Sequence, residues 1–359
     1  MTVLDDVLTL VRIESVSGAE AAIAEYVASR LRANPRLQVE RVGDNVVART
    51  TGLHATRLVI AGHLDTVPGD ASAAHRDGDA VVGLGACDMK GSLAAMLELA
   101  TRDVAWPNEL TWIFYAREEI ARSESGLREL LELRPDLLVG DVAVLAEPTG
   151  GVVEVGCQGM LRLVAEVRGR RAHTARPYMG RNAIHRLAQL VARVAAYTPR
   201  TALIDGVEFT EQLQVVAIEG GVASNVVPDV ARCVINHRFA PDRTYDEAER
   251  WFRDYVAPSL EPGDRLDLED WAPAAPPGMN DVRLRALVAL SEQPARAKVG
   301  WTDVATFAEL GIPATNFGAG DPLLAHHPDE RVSTDELANF SRILSAWVRY
   351  GGNTPRVDE

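Results

Sequence analysis

A chain of 359 residues exceeds what one ordinary hydrophobic core organises, so about two domains are expected, and 47% hydrophobic with 25% charged residues excludes extended disorder. The net charge of −14 excludes a nucleic-acid binder that relies on clustered lysine and arginine. The N-terminal "MTVLDDVLTLVRIESVSG" has acids at Asp5 and Asp6, no basic leader and no apolar run able to span a bilayer, and Cys87, Cys157 and Cys233 show no paired spacing, so a cytoplasmic protein without membrane contact is expected.

In chain order, "RLVIAGH" reads as a buried strand, "GSLAAMLELATRDV" as a helix, "ELTWIFYAREE" as a strand, "ESGLRELLELR" as a helix and "DVAVLAEPT" as a strand. Strands alternating with helices predict an α/β domain built on a mostly parallel sheet. The middle differs. There "MLRLVAEVRG", "LQVVAIEGG" and "ARCVINHRF" have the alternation of antiparallel strands, separated by the helices "AIHRLAQLVARVAAY" and "TYDEAERWFRDYV". A sheet with two helices on one face is a two-layer α+β unit. The Pro-rich "WAPAAPPG" reads as the way out of it, after which "RLRALVALSEQ", "IPATNFGAG" and a final helix "STDELANFSRILSAWVRY" resume the first style. The expectation is one α/β domain interrupted by an insertion of about 110 residues. The tail "NTPRVDE" is expected to fray.

Several chemistry-bearing side chains fall at strand ends. His63 closes the first strand, Asp88 precedes a helix in "GLGACDMKG", Glu118 and Glu119 close another strand, and Glu147 follows a third in "LAEPT". The intervals of 25, 30 and 28 residues are each the length of a βαβ unit, so parallel strands would deliver these groups to one sheet edge, where open α/β sheets bind ligands. Four ionised carboxylates at one edge repel. A cation removes the conflict, and a His/Asp/Glu donor set suits zinc, with a second imidazole available in "LLAHHPDE". Six such groups suffice for two ions sharing a carboxylate, with one acid left for proton transfer.

Between Gly159 and Arg193 stand eight arginines and one acid, Glu166, which reads either as a solvated helix face or as an anion-binding surface. A nucleotide-binding protein is excluded, since Gly83-x-Gly85 belongs to no G-x-G-x-x-G or GxxxxGK[ST] pattern.

In order along the chain, "GHLDTVP", "GACDMKG", "REE", "AEPT", "RAHTARP", "SNVVPD" and "AHHPDE" resemble the di-zinc amidohydrolase and carboxypeptidase superfamily, which includes acetylornithine deacetylases, aminoacylases and succinyl-diaminopimelate desuccinylases. The stretch "VGCQGMLRLVAEVRGRRAHTARP", continued by "GRNAIHR", resembles most the actinobacterial desuccinylases. The resemblance implies a catalytic domain of residues 1–158 and 278–359 with a mostly parallel mixed sheet, and an inserted two-layer lid and dimerisation domain of residues 159–277.

It further implies two zinc ions per subunit, with cobalt able to substitute. His63 and Glu147 would hold one, Glu119 and His326 the other, and Asp88 would bridge them; the first histidine of the His-x-x-Asp-Glu pattern is the ligand, so His326 is preferred to His327. Glu118 would be the general base and acid. Asp65 would orient the His63 ring, being two residues along on the same strand face. His173 would reach the partner subunit's site in a homodimer and stabilise the oxyanion. Asn225, Arg238, Arg176, Thr302 and Gly318 would contact the substrate, a small anionic N-acyl amino acid. The implied reaction is hydrolysis of N-succinyl-L,L-2,6-diaminopimelate, with acetylornithine deacetylation or another N-acyl-amino-acid or dipeptide hydrolysis as the alternative. A non-catalytic dimer keeping its ligands as a closed structural site is disfavoured, because the base Glu118 stands beside all five ligands. Three departures from the family pattern, Arg117 for Asp, Trp301 within a Gly-Gly, and Leu84 for Arg, touch the substrate pocket and no metal ligand.

Overall fold

Residues 2–52 and 54–350 are described by the structure, a computed structural model, and the tail expected to fray lies outside them. The chain divides into two units, Met1–Gly156 with Pro277–Lys298 and Thr302–Glu359, and Cys157–Pro276 with Val299–Trp301.

The first unit opens with α1 (Val3–Arg12), started by a capping box in which the Thr2 hydroxyl accepts from the Asp5 N–H while the Asp5 carboxylate accepts from the Thr2 N–H. Then come α2 (Ala21–Arg32), the hairpin β1 (Leu37–Val42) and β2 (Asn45–Thr50), and β3 (Arg57–His63). The short strands β4 (His75–Asp77) and β5 (Ala80–Val82) precede α3 (Gly91–Thr101), β6 (Glu109–Tyr115), α4 (Gly126–Leu133), β7 (Val142–Leu145) and β8 (Glu154–Val155). β6 is buried along its whole length and β3 from Leu58 onward, as strands covered on both faces should be.

The second unit holds β9 (Gly159–Arg168), the pair of β10 (Ala172–His173) with a later strand, α5 (Ala183–Ala195), the hairpin β11 (Thr201–Ile204) and β12 (Val207–Thr210), β13 (Gln212–Gly220), β14 (Val226–Val227), β15 (Val230–Phe239), α6 (Tyr245–Val256) and β16 (Arg265–Ala272). β10 pairs with β14, and the main antiparallel sheet runs β13-β15-β9-β16. Leu161, Leu163, Ala165, Val167, Cys233 and Ile235 point from it into a core shared with Leu187 and Leu190 of α5 and Phe252 of α6. Beneath this core lies a buried charge cluster. Glu211, fully buried, accepts from Arg200 at 3.0 Å, the Ala240 N–H at 3.2 Å and the Tyr197 hydroxyl at 3.3 Å, with Arg243 at 3.5 Å. His237, also fully buried, packs its ring 4.6 Å from Trp251 and lies 3.9 Å from Glu211.

The strand β16 and the β11–β12 hairpin are absent from the sequence-based expectation. β16, "RLDLEDWA", is charged, largely exposed and broken by a bulge between Leu268 and Asp270, so its alternation is masked, and it overlaps the segment expected to be only a connection.

The chain returns to the first unit with α7 (Val282–Ser291), β17 (Arg296–Ala297), α8 (Val304–Glu309), β18 (Ala314–Asn316), β19 (Arg331–Ser333) and α9 (Thr334–Tyr350). Its large sheet, of eight strands among the described residues, has the order β1-β2-β6-β3-β7-β18-β8-β17, with β6, β3, β7 and β18 mutually parallel. It is the expected mostly parallel mixed sheet. No described helix is long and apolar enough to cross a membrane.

Candidate active site

The carboxyl ends of the four parallel strands carry the expected groups. His63 is the last residue of β3, where Gly62 leaves no room for a side chain: a Cβ there would sit 2.4 Å from the Met89 methyl. Asp88 lies in the turn Ala86–Lys90 leading into α3. Glu118 and Glu119 do not close β6 as expected but follow it in a loop, reached through Arg117, whose φ of 60° places it in the left-handed region. Glu147 follows β7, and His326, also left-handed with φ 61°, lies between β18 and β19.

The side chains converge. His63 Nε2 is 3.0 Å from Asp88 Oδ1, while His326 Nε2 is 2.8 Å from Glu119 Oε1 and 3.6 Å from Asp88 Oδ2. The two Asp88 oxygens therefore face two different imidazoles. Ligand atoms of His63, Asp88 and Glu119 all lie within 4.8 Å of one another. His327 is turned aside, accepting the Asp329 N–H at its own Nδ1.

Burial pushes the Glu118 carboxyl well above the usual range, helped by the neighbouring Glu147, and burial raises Glu119 as well. Glu147 is pushed up to about 7, again mainly by burial. Burial alone would lower His63, but the Asp65 and Asp88 carboxylates outweigh it and raise the imidazole well above its ordinary value.

These groups fit a metal. His63 Nδ1 is 3.0 Å from the Asp65 carbonyl, which can only accept, so Nδ1 carries the hydrogen and Nε2 of the neutral ring turns its lone pair on the Asp88 carboxylate. Two lone pairs at that distance need a cation or a proton between them. Glu147 Oε1 is buried with no hydrogen-bond partner among the described residues. Nitrogen and carboxylate donors of this kind are those zinc takes.

In the second unit, His173 is exposed on β10, and its Nδ1 accepts the Ala175 N–H at 3.0 Å, which leaves the ring hydrogen of the neutral form on Nε2. Asn225 is exposed beside it, its carbonyl accepting the Thr174 N–H. Of the eight clustered arginines, Arg162, Arg168, Arg171, Arg181 and Arg186 are ion-paired with acids of this unit, and Arg193 bonds the Tyr255 carbonyl and lies over its ring. Arg176 is exposed, and Arg238 is half-buried with its guanidinium pKa lowered by that burial; neither forms an ion pair among the described residues.

The sequence model of Peptidase family M20/M25/M40 matches residues 59–350. The chain belongs to this family. A Corynebacterium glutamicum succinyl-diaminopimelate desuccinylase is 40% identical to this M20 chain over 347 residues, 94% of each. A Mycobacterium tuberculosis protein, DapE, to which the same name is provisionally given, is 45% identical over 349 residues, 96% of each. Among solved structures, a Staphylococcus aureus tripeptidase superposes with TM-score 0.78 at 21% identity, covering 98% of both chains. The Bacillus subtilis YXEP protein, a dinuclear metal-binding M20 peptidase, superposes with TM-score 0.71 at 17% identity, again over 98% of both.

Three further residues singled out in the sequence take the following places in the M20 chain. Asp65 lies just past the end of β3 and reaches the His63 ring: its carbonyl takes the ring N–H, and its carboxylate, 3.5 Å from the ring, also accepts the backbone N–H groups of Glu118 and Glu119 at 3.0 Å each and the Ser17 hydroxyl at 2.6 Å. Gly318, expected to touch substrate, is buried with both its N–H and its carbonyl on the Thr149 hydroxyl, and a Cβ there would stand 2.2 Å from the Ala146 carbonyl. Thr302, with the same expectation, is buried and donates to Asn316.

Supporting residues went unread in the sequence. The Glu20 carboxylate accepts the N–H groups of Gly18 and Arg117, holding the left-handed residue before the Glu pair. Lys298 pairs with Glu154 at 2.9 Å and adds positive charge near Glu147 and Asp88. Glu330 accepts the N–H groups of Cys87 and Asp88. Only Glu330 had a signal, as the last residue of the His-x-x-Asp-Glu pattern.

Proposed function

We propose that this chain hydrolyses the amide of N-succinyl-L,L-2,6-diaminopimelate to succinate and L,L-diaminopimelate. The observation that carries the reading is the convergence of His63, Asp88, Glu119 and His326 beside Glu147 and Glu118, in a chain that aligns almost end to end with desuccinylases. His63 and Glu147 would hold one zinc ion and Glu119 and His326 a second, with Asp88 between; cobalt would substitute. Such ions, when bound, acidify water and polarise the substrate carbonyl.

Glu118 is the proton carrier of this reading. Its carboxylate forms no hydrogen bond or ion pair to the described residues, and its raised pKa suits a group that takes a proton from the attacking water and returns it to the leaving amine. Its backbone N–H, fixed by Asp65, sets where it stands. His173, with its hydrogen on Nε2, is the donor to the developing oxyanion, offered by the partner subunit of a homodimer. Homodimerisation through the inserted domain is supported by β13, an edge strand with Val216 and Ile218 exposed at 58% and 56%. Arg238 has no acidic partner among the described residues and offers its planar guanidinium to a substrate carboxylate, with Asn225 and Arg176 as further polar contacts. A cytoplasmic place of action is supported by the buried thiols of Cys87 and Cys233, neither of which is in a disulfide.

The test is steady-state hydrolysis of N-succinyl-L,L-diaminopimelate beside N-acetylornithine by the zinc-loaded chain, with a chelated control. Chelator-sensitive turnover of the succinyl substrate alone is expected. Turnover of the acetyl substrate instead would move the enzyme to deacetylation with the same site, and silence on both would overturn the amidohydrolase reading in favour of dipeptides.

A further inference from the structure

We infer that Glu330 is a positioning residue that holds Asp88 in register with His326. The inference rests on the reading above, in which Asp88 and His326 hold metal.

Glu330 is 1% exposed. A single oxygen of its carboxylate, Oε1, accepts two consecutive backbone N–H groups, Cys87 at 2.9 Å and Asp88 at 2.8 Å, across more than 240 residues of sequence. Its own carbonyl accepts the Gly83 N–H at 2.9 Å, at the start of the same turn. The Glu330 N–H in turn bonds the His327 carbonyl at 3.0 Å, closing the short loop that begins at His326. The Cys87 thiol adds a second tie, to the Asp321 carbonyl at 3.1 Å. One five-residue segment therefore presents an imidazole to Asp88 Oδ2 and grips the backbone from which Asp88 projects.

A carboxylate is a costly device for this. Its second oxygen is buried with no partner among the described residues, and a buried acid with half its lone pairs unused opposes folding. Two N–H groups meeting one charged oxygen form stronger, shorter bonds than a neutral acceptor would, and so fix the turn more tightly. The bridging role assigned to Asp88 needs that tightness, because its two oxygens, each facing a different imidazole, would have to serve two ions at once. Glu330 touches no reacting atom and acts through Asp88.

The experiment titrates zinc alone, by calorimetry, into metal-free wild type, E330A and E330D, and records the thermal midpoint of each metal-free form together with kcat and KM of the reloaded form. Expected for E330A is a 10- to 100-fold loss of zinc affinity for at least one ion, with a fall in kcat and little change in KM. E330D, whose carboxylate is withdrawn by one methylene, should lose affinity in the same direction, and it decides the matter if E330A does not fold. A purely structural acid would lower the metal-free midpoint and leave zinc affinity unchanged; that result overturns the inference. A wild type that takes up no zinc overturns instead the metal reading beneath it.

Discussion

Glu211 offers the sharpest energetic test of the second unit. Its carboxyl is brought from 4.5 to about 2 although burial pushes the other way, because His237, the Ala240 N–H and Arg243 favour the anion. A drop of about 2.5 pH units at about 1.36 kcal/mol each is on the order of 3 kcal/mol, and full burial leaves it largely unscreened. The folded value lies below the unfolded one, so this stability is present above pH 4.5 and is lost as pH falls from 4.5 toward 2. E211Q keeps the shape and removes the charge. Hydrogen exchange of β13 and β15 amides in the metal-free chain should show the opening free energy of E211Q below wild type by on the order of 3 kcal/mol at pH 7, about half that at pH 3, and no gap near pH 2. His237 is coupled to Glu211, whose carboxylate raises the imidazole against the effect of burial, so the loss of that partner is part of the gap being measured. A gap that is the same at pH 7 and pH 3 would refute the assignment of this stability to the Glu211 charge.

Three further outcomes follow from the site. E118Q should bind zinc as wild type does by calorimetry while kcat falls by about 10²–10⁴ or more; near-normal turnover would remove Glu118 from the chemistry. H173A should be almost inactive alone, yet mixing and subunit exchange with inactive E118Q should restore about a quarter of the wild-type rate, since half the dimers then own one complete site; no recovery would place His173 in its own subunit's reaction. R238A should raise KM for succinylated substrate about tenfold or more and leave a neutral amide nearly unaffected, the loss of one charge-assisted contact; equal effects on both would remove Arg238 from carboxylate binding.

What the sequence made legible depended on how local its cause was. β3, β6 and β7 announce themselves because strands covered on both faces need unbroken apolar runs, and the groups placed at their ends inherit a shared sheet edge from parallel pairing. The Glu pair was misplaced because hydrophobic content does not show that Arg117 turns left-handed immediately after the strand. The contact of Asp65 with the His63 ring was legible, but its hold on the Glu pair was not, since the N–H groups it accepts lie 53 and 54 residues away. In the sequence the arginine cluster stays open between a solvated face and an anion-binding surface for the same reason. Its neutralising acids, Asp229, Glu261, Asp264 and Glu269, stand far along the chain, and only folding brings them within reach of Arg171, Arg181, Arg186 and Arg162. A count of charge in a window cannot see them.

The partition of the chain has a consequence for how such an enzyme changes over generations. All of the converging acids and imidazoles, with the carboxylates that hold their loops, belong to the stretches before residue 157 and after residue 276, whereas Arg238, Asn225, Arg176 and His173 belong to the insertion between them. If His173, Arg176, Asn225 and Arg238 meet the substrate as proposed, mutations that alter which acyl group is welcomed can accumulate in one segment of the gene without disturbing any of the proposed ligands in the other. Selection for a new substrate and selection for an intact reaction centre thus act on separate stretches of sequence, and a lineage can explore the first while the second stands still.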